Sequence, residues 1–298
     1  MKLSLIPLIF SFSLFSQTVS DFAYTGARAG ALAGAATSIK GNEMSIYHNP
    51  AAIAETEGNF ISAGGGHLYG FTWLPTYQLS LLMQNPLFGK IAIGIQKLEA
   101  KYNGTSLSNE TAISLASGID LQHDRNSRLS VGGTVNYLTW ELGKSAGVSG
   151  DGSDGIDGGE LQAVSLDLGA LASLRGKYRF GVFLKNASNS QIGKNLSAHS
   201  LPRRMNAGIS YTPIPHLTTT IVSEQFLGRD DLQIKGGVSY QFKKGIELNI
   251  GAQSNPNRIG AGVSIDQEMG RQTIRMIYGL LSHPVLPLTH QYQIGITF

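Results

Sequence analysis

The chain has 298 residues, of which 14% are charged and 42% hydrophobic, with 37 glycines, no cysteine and a formal net charge of +3. Ordinary soluble domains carry about 25% charged residues and about 7% glycine, so a water-facing surface is not what most of this chain supplies. The missing cysteine excludes a disulfide framework, a thiolate metal site and a cysteine nucleophile; the small, scattered charge excludes a nucleic-acid footprint; and the hydrophobic content excludes general disorder.

Met1 to Ser20 opens with Lys2, continues through Leu3, Leu5, Ile6, Leu8, Ile9 and Phe10, and ends in small or polar residues. That is the pattern of a secretory signal peptide over 1–20, with cleavage near Ser16–Gln17 or Ser20–Asp21; an uncleaved anchor is the alternative. No later run of 18 or more apolar residues occurs, so the exported product is either soluble or a β-barrel.

The segment 21–58 has a different texture. Gly26, Gly30 and Gly34 recur every four residues beside Ala23, Ala27, Ala31 and Ala35, so a helix here has a bare flank and can lie close against other backbone. A phosphate-binding reading fails, because the glycines do not fit G-x-G-x-x-G and no strand precedes them. Further on, Tyr47-His48-Asn49-Pro50 places a capping residue directly before a proline, the arrangement that starts a short helix.

From residue 59 to 298 the dominant period is two. In the last segment Tyr292, Ile294, Ile296 and Phe298 share one face while Gln291, Gln293 and Gly295 share the other, which is the alternation of a strand with one greasy and one wet side. The same reading gives strands near 60–69, 76–84, 89–98, 111–121, 127–142, 161–174, 178–187, 203–212, 217–224, 231–242, 246–254, 257–266, 272–281 and 289–298. Segments of about ten residues suit a tilted strand crossing a bilayer. Connections after even strands are short, while those after odd strands include the long ones at 143–160 and 188–202. Short turns on one side and longer loops on the other mark a bacterial outer-membrane barrel. The fold class is therefore all-β: a transmembrane antiparallel barrel of about fourteen strands with a short helical N-terminal plug in its lumen, wide enough at that strand number to need one. A large secreted β-sandwich is the soluble alternative.

Gly64, Gly65 and Gly66 sit inside the first strand, where such a run marks a bulge or wall kink, or a close approach by the plug; a lateral opening in the wall is its functional version. Alternation places Asp167, Lys235, Glu247, Arg258 and Arg275 on the inward face, as in a polar lumen. The loop Gly150 to Asp157 clusters carboxylates but misses the EF-hand pattern, and reads as a solvated loop. The seven histidines show no metal-ligand spacing, and neither G-x-S-x-G nor a Ser/His/acid grouping stands out. No catalytic residue, metal or cofactor is expected.

The run GARAGALAGAATS, a spacer of about a dozen residues, then YHNPAAIAE resembles the N-terminal plug signature of the PorV/PorQ family, within the wider FadL-like group of fatty-acid transporter barrels. The matching positions are Gly26, Arg28, Gly30, Gly34, Tyr47, Asn49 and Pro50. The closing strand Tyr292, Ile294, Ile296 and Phe298 likewise resembles the C-terminal signal that barrel-assembly machinery reads. These resemblances imply a fourteen-stranded barrel in the bacterial outer membrane, in contact with outer-membrane lipid and with its N-terminal segment folded into the lumen. They imply a non-enzymatic role associated with type IX secretion, binding secretion components or secreted cargo. The alternative is passive passage of a hydrophobic small molecule such as a long-chain fatty acid, with Gly64–Gly66 shaping the route.

Overall fold

The computed structural model describes residues 24–85, 89–145, 147–148, 150, 153–193 and 198–298. The leader expected at 1–20, the first three residues of the expected plug segment, Pro86 in the first turn, and Asp151 and Gly152 of the carboxylate loop lie outside them.

Fourteen antiparallel strands close into one barrel. They are β1 (Phe60–His67), β2 (Pro75–Asn85), β3 (Gly89–Tyr102), β4 (Thr105–His123), β5 (Ser127–Leu142), β6 (Gly159–Leu174) and β7 (Tyr178–Lys185), then β10 (Arg204–Ile214), β11 (Leu217–Phe226), β12 (Leu232–Lys243), β13 (Ile246–Gln253), β14 (Arg258–Met269), β15 (Gln272–Leu281) and β16 (Thr289–Thr297). Between β7 and β10 a two-residue pair, β8 (Gln191–Ile192) and β9 (His199–Ser200), forms a separate small hairpin. Each wall strand pairs with the next wall strand along the chain, β7 with β10 included, and β1 pairs with β16 to remove the last free edge. Beyond the ladder, Asn59 and Phe298 exchange backbone hydrogen bonds, 3.3 and 3.0 Å, that seal the seam. An unpaired edge in hydrocarbon would leave N–H and C=O groups without partners, so closure is a condition of spanning a membrane at all.

The wall has the polarity a membrane demands. On β13, Leu248 and Ile250 point outward and are exposed, while Asn249 and Gly251 point inward and are buried. On β16, Tyr292 and Ile294 are outward and Gln291 and Gln293 inward. No described helix is long and apolar enough to cross a membrane; the strands are the spanning elements.

Two elements exceed the sequence reading. Strands β3 and β4 run past residues 98 and 111 to meet in a tight turn at Asn103–Gly104, both at positive φ (48° and 81°), the backbone that makes Asn-Gly a hairpin turn. The β8–β9 hairpin was not legible; Ile192 and the following Leu201 pack on Trp140 and Ala163 at the loop end of the wall.

Candidate functional site: the plug and its seat

Residues 24–58 fill the barrel. The helix expected around Gly26, Gly30 and Gly34 is a single turn, α1 (Ala27–Ala31). It stops because Ala33 and Gly34 adopt positive φ (49° and 81°), which turns the chain back so that Gly34 lies under the Tyr24 ring. A second turn, α2 (Ser45–His48), runs into a 3-10 turn at Pro50–Ile53. There the Asn49 side chain accepts from Ala51 N, 3.1 Å, and its amide donates to the Thr37 and Ala170 carbonyls, 2.9 and 3.2 Å. Asn49 thus ties three points together: the turn it starts, the other half of the plug, and β6. Replacing it by alanine removes all three bonds from a buried position. The expected cost is about 2 kcal/mol, roughly a 30-fold rise in unseated plug, read as faster protease cleavage within 24–58.

The wall under the plug is made of glycine. Gly118, Gly132 and Gly169 stand abreast on β4, β5 and β6, and a Cβ on any of them would fall within 3.0 Å of the Asn49–Ala54 segment. Opposite, Gly237, Gly251 and Gly260 stand abreast on β12, β13 and β14 beneath Gly30 to Leu32. The unusual glycine content therefore has a tertiary cause at these positions: plug backbone lies directly on wall backbone. The two platforms were not singled out from sequence, although inward-facing glycines on successive strands were the available signal.

Polar contacts pin the remainder. Gln293 Oε1 accepts from Ala27 N, 3.2 Å, and Gln293 Nε2 donates to Glu43, 2.8 Å; Gln291 donates to the Tyr24 carbonyl, 2.8 Å. The inward face of the closing strand thus grips the plug, while Tyr292 and Ile294 face outward. Ser38 Oγ meets Ser210 Oγ at 2.7 Å. Arg28 pairs with Glu247 at 3.1 Å and Arg275 with Glu43 at 3.5 Å. Toward the short turns, Glu55 takes hydrogen bonds from Ser173 and Arg179, and Arg128 donates to the Ala54 carbonyl, 2.6 Å. Tyr47 Oη reaches the Leu79 carbonyl at 2.5 Å.

A buried charge cluster lies on the loop side of the plug. Lys235, 2% exposed, sits 2.9 Å from Glu224, with Arg204 at 3.8 Å from the same carboxylate. The Tyr24 ring lies beneath the Lys235 and Arg258 cations. Burial, reinforced by Glu224, pushes the Tyr24 phenol up to about 12, so it stays a donor, to Gln253. His48 keeps some surface, but that surface faces a lumenal space of only about 20 Å³ shared with Lys185, Arg204 and Lys235. Burial first, and then those cations, hold its pKa down at about 4 from 6.5. Between these values the unfolded plug binds a proton that the seated one refuses. The seated state is therefore at full stability above about pH 6.5 and loses it as pH falls toward 4. Protease protection of the plug is expected to weaken at pH 4.5 relative to pH 7.5, and His48→Gln to flatten that dependence.

Other spaces open along the lumen among the described residues. Against Tyr24 and Thr25 on the loop side is a chamber of about 40 Å³, lined mostly by carbon from residues including Leu68, Leu98 and Leu281. On the short-turn side a charged vestibule of about 580 Å³ is bordered by Arg28, Lys40, Glu57, Arg179, Glu247 and Arg275. The plug separates them.

Gly64, Gly65 and Gly66 correct an expectation. They pair residue for residue with Gln78, Tyr77 and Thr76 on β2 and with Gln293, Tyr292 and Gln291 on β16, without a bulge. What lies closest is the backbone of those two strands and the Gln78 side chain, not the plug. Among the described residues, no group of three or more His, Asp or Glu side chains could hold a metal ion.

No family model and no curated protein matches the sequence. Solved structures do match in shape. The toluene transporter TbuX of Ralstonia pickettii superposes with a TM-score of 0.58 at 12% identity over 92% of this chain and 97% of its own. The toluene transporter TodX of P. putida gives 0.60 at 10% identity over 93% and 99%. A FadL homologue of Pseudomonas aeruginosa gives 0.55 at 10% identity over 92% and 98%. The chain has the FadL-type barrel fold. At this identity the likeness is one of architecture, and it spans nearly the whole of each chain.

Proposed function

We propose that this chain is a passive outer-membrane channel for a small hydrophobic molecule. The observation that carries the reading is the carbon-lined chamber at Leu68, Leu98 and Leu281, directly against the loop-side end of a plug that noncovalent contacts hold on glycine. Apolar pockets with a few convergent polar groups are the usual form of a small-molecule site. Support also comes from the architecture shared with barrels named for toluene transport and with a FadL homologue. A chamber of this size admits no substrate until the plug shifts, so plug displacement is the gating step. The leader expected at 1–20, and the resemblance of the closing strand to the signal that barrel-assembly machinery reads, fit delivery to the outer membrane.

The test uses the cysteine-free background. Ser38→Cys with Ser210→Cys places two thiols where hydroxyls are 2.7 Å apart, one on the plug and one on β10. In proteoliposomes, uptake of radiolabelled toluene or a long-chain fatty acid is expected to stop on oxidation and to return with reductant. Uptake no faster than in empty liposomes would overturn the reading.

Association with type IX secretion, implied by the PorV/PorQ resemblance, is the second reading. It is favoured by the closed lumen and by loop residues Val148 and Ile156, 99% and 80% exposed. Secretion components or cargo that co-purify with the intact protein, and are lost when 143–160 is removed, would support it; bound lipid or fatty acid with no protein partner would favour the channel.

A further inference from the structure

The outer wall carries a hollow that the channel reading does not use. It has a volume of about 720 Å³ and is lined mostly by apolar surface, including Ala63, Gly65, Tyr77, Met276, Tyr292 and Ile294. Its origin is visible in the register. Gly65 is flanked directly by Tyr77 on β2 and by Tyr292 on β16, and Tyr292 leans on Tyr278 with ring centroids 5.0 Å apart. One row below, Ala63 lies between Leu79 and Ile294. Two small outward residues in succession on β1 thus leave a trough between tall neighbours. Continuous strand pairing behind it separates it from the lumen.

The trough has a polar upper end. His67 and His290 face each other across β1 and β16 at the long-loop rim, and His290 Nδ1 is 2.8 Å from the Tyr278 hydroxyl. Its lower end is aliphatic, at Met276, Ile265 and Ile294. The polarity gradient runs along the strand, imidazoles and phenols toward the loops and hydrocarbon toward mid-wall. A soluble partner does not reach this face when the strands stand in a bilayer, and the long-loop side is the outer leaflet.

We propose that this trough is a binding site for one acyl chain of an outer-leaflet membrane lipid, with its oxygen-rich headgroup at His67 and His290. Its size falls in the range of small-molecule sites, about 300–1,000 Å³. The inference rests on the barrel standing in the outer membrane, but not on transport.

The experiment uses the full chain in nanodiscs of phosphatidylethanolamine and phosphatidylglycerol, doped with phosphatidylethanolamine carrying a diazirine in its acyl chain. Cross-links mapped by mass spectrometry are expected to concentrate several-fold on β1, β2 and β14–β16 over the other lipid-facing strands. That enrichment should be lost in Ala63→Phe, which fills the trough, and in Met276→Trp, which fills it from the other side. Heat-modifiable gel migration identifies which variants are folded barrels. Uniform labelling around the barrel, enrichment that persists in a folded trough-filling variant, or labelling of the lumen-facing Gln78 and Gln291 would overturn the proposal. Toluene uptake is measured separately, so its loss or survival does not decide this result.

Discussion

Gly132→Leu is expected to open a closed pore. In the middle of the glycine row Gly118–Gly132–Gly169, a Cβ at residue 132 would stand 2.6 Å from Ala51 N, well inside van der Waals contact. The plug cannot retreat sideways, because Asn49 and Pro50 lie against Gly169 on the next strand. Overpacking of a filled interior costs about 1–3 kcal/mol or more, and here the strain falls on the plug, whose short turns are weaker than the continuous strand ladder. The barrel itself should be indifferent or improved, since leucine loses less conformational entropy in a strand than glycine does. Planar-bilayer conductance should rise from a closed baseline, and protease should cut within 24–58, while heat-modifiable migration is retained. A silent, protease-protected Gly132→Leu barrel would show that the glycine platform is not what admits the plug.

Glu224→Gln is the second large effect. The carboxylate neutralises Lys235 at 2.9 Å and Arg204 at 3.8 Å, both about 2% exposed. Removing one partner of a buried ionic group leaves uncompensated charge and costs about 3–5 kcal/mol. The expected result is a lower urea midpoint for barrel unfolding, with the Tyr24 end of the plug loosened first because its ring rests against Lys235. Adding Lys235→Met to Glu224→Gln removes the buried ammonium that has lost its carboxylate and should recover part of the loss. If Glu224→Gln alone leaves the midpoint unchanged, the cluster is solvated and does not brace the lumen.

How much of this was legible depends on the range of the interaction concerned. Alternation in Gly245 to Gln253 or Thr289 to Phe298 is local, because successive side chains of a strand face opposite sides whatever lies beyond. It follows that all fourteen wall strands could be placed from the residues alone. The ends of β3 and β4 could not: beyond the apolar band Lys101 to Asn109 carries no alternation, and only the Asn103–Gly104 pair hinted at a hairpin. The extent of α1 was not legible for a related reason. Small residues every four positions permit a helix, but here the chain turned at Ala33 and Gly34 to fit between opposite walls.

Strand number, the membrane-facing and lumen-facing sides, the turn-and-loop asymmetry and the existence of an N-terminal segment unlike the rest could all be read from the residues in order. Each follows from period, composition or turn chemistry within a few residues. It took the closed barrel to bring glycines far apart in the chain into two platforms beneath the plug, and Glu224, Lys235, Arg204 and Tyr24 into one cluster. The barrel likewise decided that Gly64–Gly66 leave a trough on the outside of an unbroken wall. Those outcomes depend on inter-strand register and barrel closure, which bring residues more than 200 positions apart into contact.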